Sequence, residues 1–597
     1  MIGIKSKMNN IWVGLLQGIA GVPARSPLSM LVCSLVIAGI WVILASSIYA
    51  MPPYPGNNGN GLGKSNSQRF DNSYYLNHLA EIYSQGVNSP GDALLNNGGG
   101  LPGLAKSAWA GNINILAILV DFSDKKAGTS DVFFDTLIYV NRTGTVTNYY
   151  REVSYNTLTI TTVVLPSALG WKGAPQTYAY YVDGQNGFGA YPHNAQKLVE
   201  DAVDLVDPYV NFSQFDNNSD GYVDGLIVVH AGPGAEFTGS NDDIWSHKWS
   251  ISPRYKDGVY VYNYSMQPEY WSSPGDMTCG VYCHELGHVF GLPDLYDTDY
   301  SSAGIGNWSL MAGGSWNGSL GNSPAHPDAW CKIQLGFVTP TVLSSDQANV
   351  SLPSIETSQT IYKLWTNGLP GTEYFLVANR QQTGYDSHIP SNGLLIWHID
   401  ETKSTNNSEW WPGSGASSHY KVALVQADNL WQMEHNINSG NSGDPYPGST
   451  ANRLLNPASS PDSKNYGGTN TSVSVGNISN SGATMTADMA VGLPQAIDDN
   501  RYVIPDQAAL YHNYPNPFNA ATSINFTLLK SSNISIDIFD ISGQYVDCVF
   551  TGWLEAGTHN IDWNGRNAQN RNLASGVYLY KLSVGNSSVC RKMLYLK

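Results

Sequence analysis

Charge is scarce in this chain of 597 residues: Asp, Glu, Lys and Arg make up 13% of it. The little there is leans acidic, 30 Lys and Arg against 47 Asp and Glu, for a net charge of −17. Nucleic-acid binders draw their affinity from Lys and Arg set against phosphates, so this balance argues against that class. Cysteine is rare as well. Its six positions, Cys33, Cys279, Cys283, Cys331, Cys548 and Cys590, have no zinc-ribbon spacing. No Gly-x-Ser-x-Gly elbow occurs, so the local signature of a serine hydrolase is missing. The run Gly98-Gly99-Gly100 has no helix signature after it and does not read as a phosphate loop. Beyond residue 50 no apolar run is long enough to cross a bilayer.

Aromatic residues and turn formers are plentiful: 36 Tyr, 17 Trp, 60 Gly and 31 Pro. Such aromatic content can bury cores, which excludes bulk disorder and suggests strand- and turn-rich domains. The length suggests about four of them. Lys5, Lys7 and Arg25 precede an uncharged, largely apolar stretch over 28–50, and Ala50 offers a small residue before Met51-Pro52-Pro53. This reads as a signal peptide over 1–50, or as a signal anchor if it stays uncleaved, the one case in which the chain would meet a membrane. Either way 51–597 is exported, as a secreted or cell-surface attached protein. Export permits disulfides, and Cys548 with Cys590, and Cys279 or Cys283 with Cys331, are the pairs considered.

Residues 51–110 are Gly-, Asn- and Ser-rich around one amphipathic stretch containing Leu76, Leu79 and Ile82. This reads as a pro-segment, with Asp71 and His78 as candidate contacts to the site it would cover; a plain linker is the alternative. From 111 to 340 strands and helices mix. A buried strand is expected over 113–122, another over 226–230, and a helix over 195–206 with Leu198, Val199, Ala202, Leu205 and Val206 on one face. Residues 341–492 alternate in short runs and read as a β-sandwich, 493–510 as a linker, and 511–597 as a small antiparallel sandwich built on Ile524/Phe526/Leu528 and Ile534/Ile536/Ile538.

The chemistry concentrates in Cys283-His284-Glu285-Leu286-Gly287-His288-Val289-Phe290-Gly291-Leu292-Pro293-Asp294. On a helix, His284 and His288 project from one face and can offer two imidazole nitrogens to one zinc. Glu285 is placed to meet a water at the metal and not the metal itself. Gly291 can end the helix in a left-handed turn and Pro293 bars its continuation, so Asp294 can swing back as a third ligand. Asp297 and Asp299 are nearby carboxylates that could replace it, or could bind calcium. A His-acid-x-x-His pattern is expected by chance only ~0.02 times at this composition.

This extended motif resembles the metzincin clan of zinc endopeptidases, and within it the M6 family of immune inhibitor A-like peptidases. Trp308-Ser309-Leu310-Met311-Ala312-Gly313-Gly314-Ser315-Trp316 resembles the family's methionine-containing turn, with Met311 as an apolar floor under the metal. Asp294-Leu295-Tyr296-Asp297 and His326-Pro327-Asp328-Ala329-Trp330-Cys331-Lys332 add two further matches. The resemblance implies His284, His288 and Asp294 as zinc ligands and Glu285 as general base. The pro-segment cysteine that keeps many metzincins latent has no counterpart here, since none lies between Cys33 and Cys279.

Asp216-x-Asn218-x-Asp220-Gly221-Tyr222-x-Asp224 matches the first nine positions of a calcium loop, with the Tyr222 carbonyl at position 7. Val228 stands where the full pattern has Glu, so another carboxylate would be needed. His230 and His247 are left unassigned. The tail, through its Asn513–Phe518 opening and Asp540-Ile541-Ser542-Gly543-Gln544, resembles FlgD-like Ig folds and C-terminal sorting domains, which implies engagement of secretion machinery. The expected architecture is therefore multidomain: an α+β metzincin-like catalytic domain, an all-β sandwich and a small Ig-like β-sandwich. The expected function is a secreted zinc endopeptidase acting on protein and peptide substrates. An extracellular binding or adhesion protein with an inactive metalloprotease-like domain is the alternative.

Overall fold

A computed structural model describes residues 49–54, 109–492, 501–504, 508–569, 571–585 and 587–597. Most of the expected signal, the amphipathic stretch with Asp71 and His78, and most of the linker lie outside them. The chain divides into two compact units, Met1–Gly492 and Leu493–Lys597.

The strands of the first unit are β1 Tyr49–Ala50, β2 Gly111–Asn114, β3 Leu116–Asp121, β4 Leu158–Thr161, β5 Lys172–Gly173, β6 Leu226–Pro233, β7 His247–Lys256, β8 Val259–Tyr270, β9 Thr341–Val342, β10 Gln347–Pro353, β11 Tyr362–Leu364, β12 Glu373–Arg380, β13 Gly393–Asp400, β14 Val422–Leu424, β15 Ser474–Gly476 and β16 Thr484–Ala490. A six-stranded mixed sheet runs in the order β1-β7-β8-β6-β3-β5. Its central strands β3 and β6 are buried on both faces, as continuous apolar runs require. Period-two alternation then decides which layer each side chain joins. Leu116, Ile118 and Val120 join the core of helix α2 (Ala195–Val206), and Ala117 and Leu119 join the core of helices α1 (Val146–Val153) and α3 (Cys279–Val289).

The single strand expected over 113–122 is two. Ile115 donates to the Thr161 carbonyl and Leu116 to that of Gly225, so the chain changes partner between them, from β4 to β6. Helix α2 forms where expected, capped by the Asn194 side chain accepting from the Lys197 amide. Val203 takes the core position expected of Leu205, which is only half-buried.

In the 341–492 region the sheets β14-β13-β12-β11-β9 and β10-β16-β15 enclose Phe375, Val377, Leu394, Ile396, Met485 and Met489. The other face of β12 and β13, with Leu376, Ala378, Leu395 and Trp397, meets no solvent. It completes the core that contains α3 and Met311.

The second unit pairs two four-stranded sheets around Phe526, Leu528, Ile534, Ile536 and Ile538, as their alternation predicts. The disulfides considered from sequence do not form: all five described cysteines are free. Cys548 pairs in register with Asp537, Asp537 with Lys581, and Lys581 with Cys590. Three strand spacings, about 14 Å, separate the two cysteines, twice what a bridge can span. Cys279, Cys283 and Cys331 are free as well, and the Cys279 thiol donates to the Gly321 carbonyl.

Candidate active site

Helix α3 is buried over nearly its whole circumference, Cys279 through His288. It can lie this deep because its glycines admit close neighbours: a Cβ on Gly287 would stand 2.7 Å from Met311 Sδ. Met311 thus packs against the helix at Gly287, the residue before His288. At the C-terminus Gly291 adopts φ +94, its amide donates to the His288 carbonyl, and the Leu292 amide donates to that of Gly287. This left-handed cap reverses the chain and brings Asp294 back over the helix.

Three acceptors meet there. His284 Nε2 and His288 Nε2 are 3.0 Å apart, and each is 3.2 Å from Asp294 Oδ1. All three side chains are buried. Each ring's Nδ1 faces a main-chain carbonyl at 2.8 Å, Leu310 for His284 and Leu292 for His288. With Nδ1 carrying the proton, both Nε2 atoms present lone pairs to one another and to a carboxylate oxygen that has no hydrogen-bond donor. A cation at its centre would satisfy all three acceptors. A tetrahedral zinc with ligands at 2.0–2.1 Å would set its donors about 3.3 Å apart, so the residues fit that ion. Burial pulls the His288 pKa down, and although burial opposes it, the imidazoles hold the Asp294 carboxyl below its ordinary value. Asp297 and Asp299 are not at this point. Asp297 accepts from Ser301 Oγ, Ser302 N and Ser302 Oγ, and groups instead with Asp299 and Glu409.

Residues 130–337 match the family described as Immune inhibitor A peptidase M6, catalytic domain. The chain carries a peptidase M6 catalytic domain. Residues 516–588 match the FlgD Ig-like domain. Immune inhibitor A of Bacillus thuringiensis subsp. alesti is 34% identical over 215 residues, 30% of this chain and 30% of that protein. Pre-pro-metalloprotease PrtV of Vibrio cholerae serotype O1 is 28% identical over 277 residues, 36% of this chain and 29% of that protein. The chain therefore spans less than a third of these curated relatives. Among solved structures, OgpA from Akkermansia muciniphila aligns with 82% of this chain and 94% of its own at 11% identity, but a TM-score of 0.21 carries no argument.

In the M6 domain Glu285 sits beside the triangle, fully buried, with neither carboxylate oxygen hydrogen-bonded by a side chain. Burial raises its pKa well above the usual value, and the charges of Asp294 and Glu236 raise it further. Next to it lies the segment 49–54. β1 pairs antiparallel with β7, Tyr49 opposite Lys248 and Ala50 opposite His247. The Met51 amide donates to the Ser246 carbonyl at 3.2 Å, Trp245 Nε1 to the Met51 carbonyl at 2.7 Å, and Trp316 Nε1 to the Pro52 carbonyl at 2.8 Å. The Met51 main chain lies close enough to Glu285 to act on its charge.

The loop 216–224 is closed by its own hydrogen bonds. Asp216 accepts from the Asp220 and Gly221 amides, Asp220 from the Tyr222 amide, and Asn218 Nδ2 donates to Asp220 and Asp224. Burial, with Asp220 and Asp216 nearby, raises the Asp224 carboxyl to about 6. Among the described residues, the groups whose acidic or imidazole donors converge within 4.8 Å are the His284/His288/Asp294 triangle and the Asp297/Asp299/Glu409 cluster; the loop's carboxylates do not form one. His230 and His247 take no part. His230 Nδ1 is held by the Ala231 carbonyl, and His247 lies between the Trp245 carbonyl and Tyr264 Oη. Sequence reasoning missed Trp245 and Glu236, which line the strip occupied by 49–54, and named Trp316 only as the end of the methionine-turn match. No local motif marks Trp245 or Glu236, because they meet this strip only through the folded chain.

Proposed function

We propose that the protein is an exported zinc-dependent endopeptidase that hydrolyses peptide bonds of extracellular proteins. The observation that carries this reading is the buried triangle of two imidazole nitrogens and one carboxylate oxygen, with an unpaired glutamate beside it. His284, His288 and Asp294 would hold the ion; when bound, zinc supplies Lewis acidity and makes a neighbouring water acidic near neutral pH. Glu285 takes the proton from the attacking water and delivers it to the leaving amine. Edge strand β7 holds the substrate backbone in extended form, as it holds Tyr49 and Ala50 here.

The contacts of Met51, Pro52 and Tyr54 with Ser246, Trp245, Trp316 and Glu236, and of the Met51 main chain with Glu285, support the 51–110 region as a pro-segment: its first residues lie beside the candidate base and compete with substrate. Cleavage that removes residues up to 110 is expected to raise activity on casein at least tenfold, and equal activity before and after trimming would reject latency. The FlgD Ig-like match supports 511–597 as a domain for sorting or surface attachment through the secretion machinery.

Calcium is proposed as a structural ion at the 216–224 loop, supported by oxygen-bearing side chains at positions 1, 3, 5 and 9 and by Gly221 at φ +89. The deciding experiment is metal analysis and casein digestion with the purified chain. One zinc per chain and activity abolished by a chelator, then restored by zinc, are expected. Activity that survives complete zinc removal rejects the metallopeptidase reading, and an absence of bound calcium rejects the loop assignment.

A further inference from the structure

Two residues beyond the matched M6 segment reach the turn that orients His284. Arg380 ends β12, and Asp386 follows six residues later; both side chains are fully buried. Their pairing is a two-pronged fork, Nε to Oδ2 at 2.8 Å and Nη2 to Oδ1 at 2.6 Å. The fork holds the methionine turn at two points. Arg380 Nη1 donates to the Trp308 carbonyl at 3.3 Å. Asp386 Oδ1 accepts the His326 amide at 2.8 Å, and the His326 carbonyl in turn accepts the Leu310 amide at 3.3 Å. The Leu310 carbonyl, which follows directly on these two anchors in the chain, receives His284 Nδ1.

We propose that the Arg380–Asp386 pair is a positioning clamp for His284. It fixes the Leu310 carbonyl where that oxygen dictates the tautomer and tilt of the imidazole, so the 341–492 region takes part in building the metal centre. The inference rests on the zinc reading of the triangle. A buried ion pair is poor value as a stabiliser, since apolar residues of equal volume commonly do as well or better. A role in geometry accounts for its place here, two hydrogen bonds from a ligand. Partners that orient a ligating histidine change metal affinity by roughly 10- to 100-fold when lost.

The test uses the full chain and three variants: Asp386→Asn, Arg380→Lys, and the apolar pair Arg380→Met with Asp386→Leu. Zinc affinity is measured by competition with a chelator, the visible absorption of the cobalt-substituted protein reports ligand geometry, and thermal melting of the metal-free protein reports stability. Each single variant is expected to bind zinc about tenfold more weakly, with a shifted cobalt spectrum. The apolar pair leaves the buried Glu356, 3.5 Å from Arg380 Nε, without its cation, so its metal-free melting temperature is expected to fall, and the loss of affinity and the shifted spectrum are read on the folded protein. Should either single variant fail to fold, the apolar pair decides. An apolar pair with native zinc affinity and an unshifted cobalt spectrum overturns the clamp. No zinc uptake by the unaltered chain would instead remove the metal reading beneath it.

Discussion

Glu285→Gln is expected to keep its zinc and lose proteolytic activity by roughly two to four orders of magnitude, the range that a positioned acid–base group supplies. Glutamine has the same shape, and Glu285 contributes no atom to the His284/His288/Asp294 triangle, so the metal content should not change. What disappears is the capacity to accept a proton. Burial first, then Asp294 and Glu236, push that carboxyl well above its ordinary pKa, which makes its ionised form a stronger base than a solvated glutamate. The sign on stability follows from linkage. A carboxyl with a raised folded pKa binds more protons folded than unfolded between the two pKa values, so it destabilises the fold as pH rises through that window. Removing the charge should therefore leave the melting temperature at pH 7 unchanged or higher. Casein turnover within tenfold of the unaltered chain would eliminate Glu285 as the general base, and a zinc-free variant would show that its loss acts through structure.

Gly280→Ala is expected to cost several kcal/mol of stability, although alanine in a helix interior ordinarily gains about 1 kcal/mol over glycine. A Cβ at Gly280 would stand 2.2 Å from the Ser315 carbonyl oxygen and 2.8 Å from that of Gly321. Both are main-chain atoms of the loop that follows the methionine turn, and neither can swing aside as a side chain would. Helix α3 would have to lift from that loop, with overpacking costs of about 1–3 kcal/mol or more, and the imidazoles would move with it. Gly291→Ala is the informative contrast. Nothing lies within 4 Å of a Cβ there, but φ is +94, so its penalty is conformational, about 1 kcal/mol. Thermal melting should rank Gly280→Ala well below Gly291→Ala; the reverse order would mean that the helix-to-loop contact is not as tight as described.

Much of the site was legible because its parts are local. His284 and His288 share a helix face through the 3.6-residue period alone, and Gly291 with Pro293 marks the reversal within the next turn. The inward residues of β3, β6 and the tail strands follow from period two. Which carboxylate closes the triangle was open among Asp294, Asp297 and Asp299, since spacing permits all three; only the path of the folded chain turns Asp294 inward and commits Asp297 to Ser301 and Ser302.

The same boundary runs through the rest of the molecule. Alternation over 113–122 announces extended chain but not a change of partner at Ile115, because pairing depends on β4 and β6, some 40 and 110 residues away. Cysteine spacing is silent about two intervening strands. Nothing in the sequence around Arg380 and Asp386 announces that they are buried, and they become a fork only when one face of β12 and β13 packs over the methionine turn. By itself the amino-acid order determined which residues can act together within one or two turns of chain. Packing and register, which sum contacts over hundreds of residues, decided which of those groups meet.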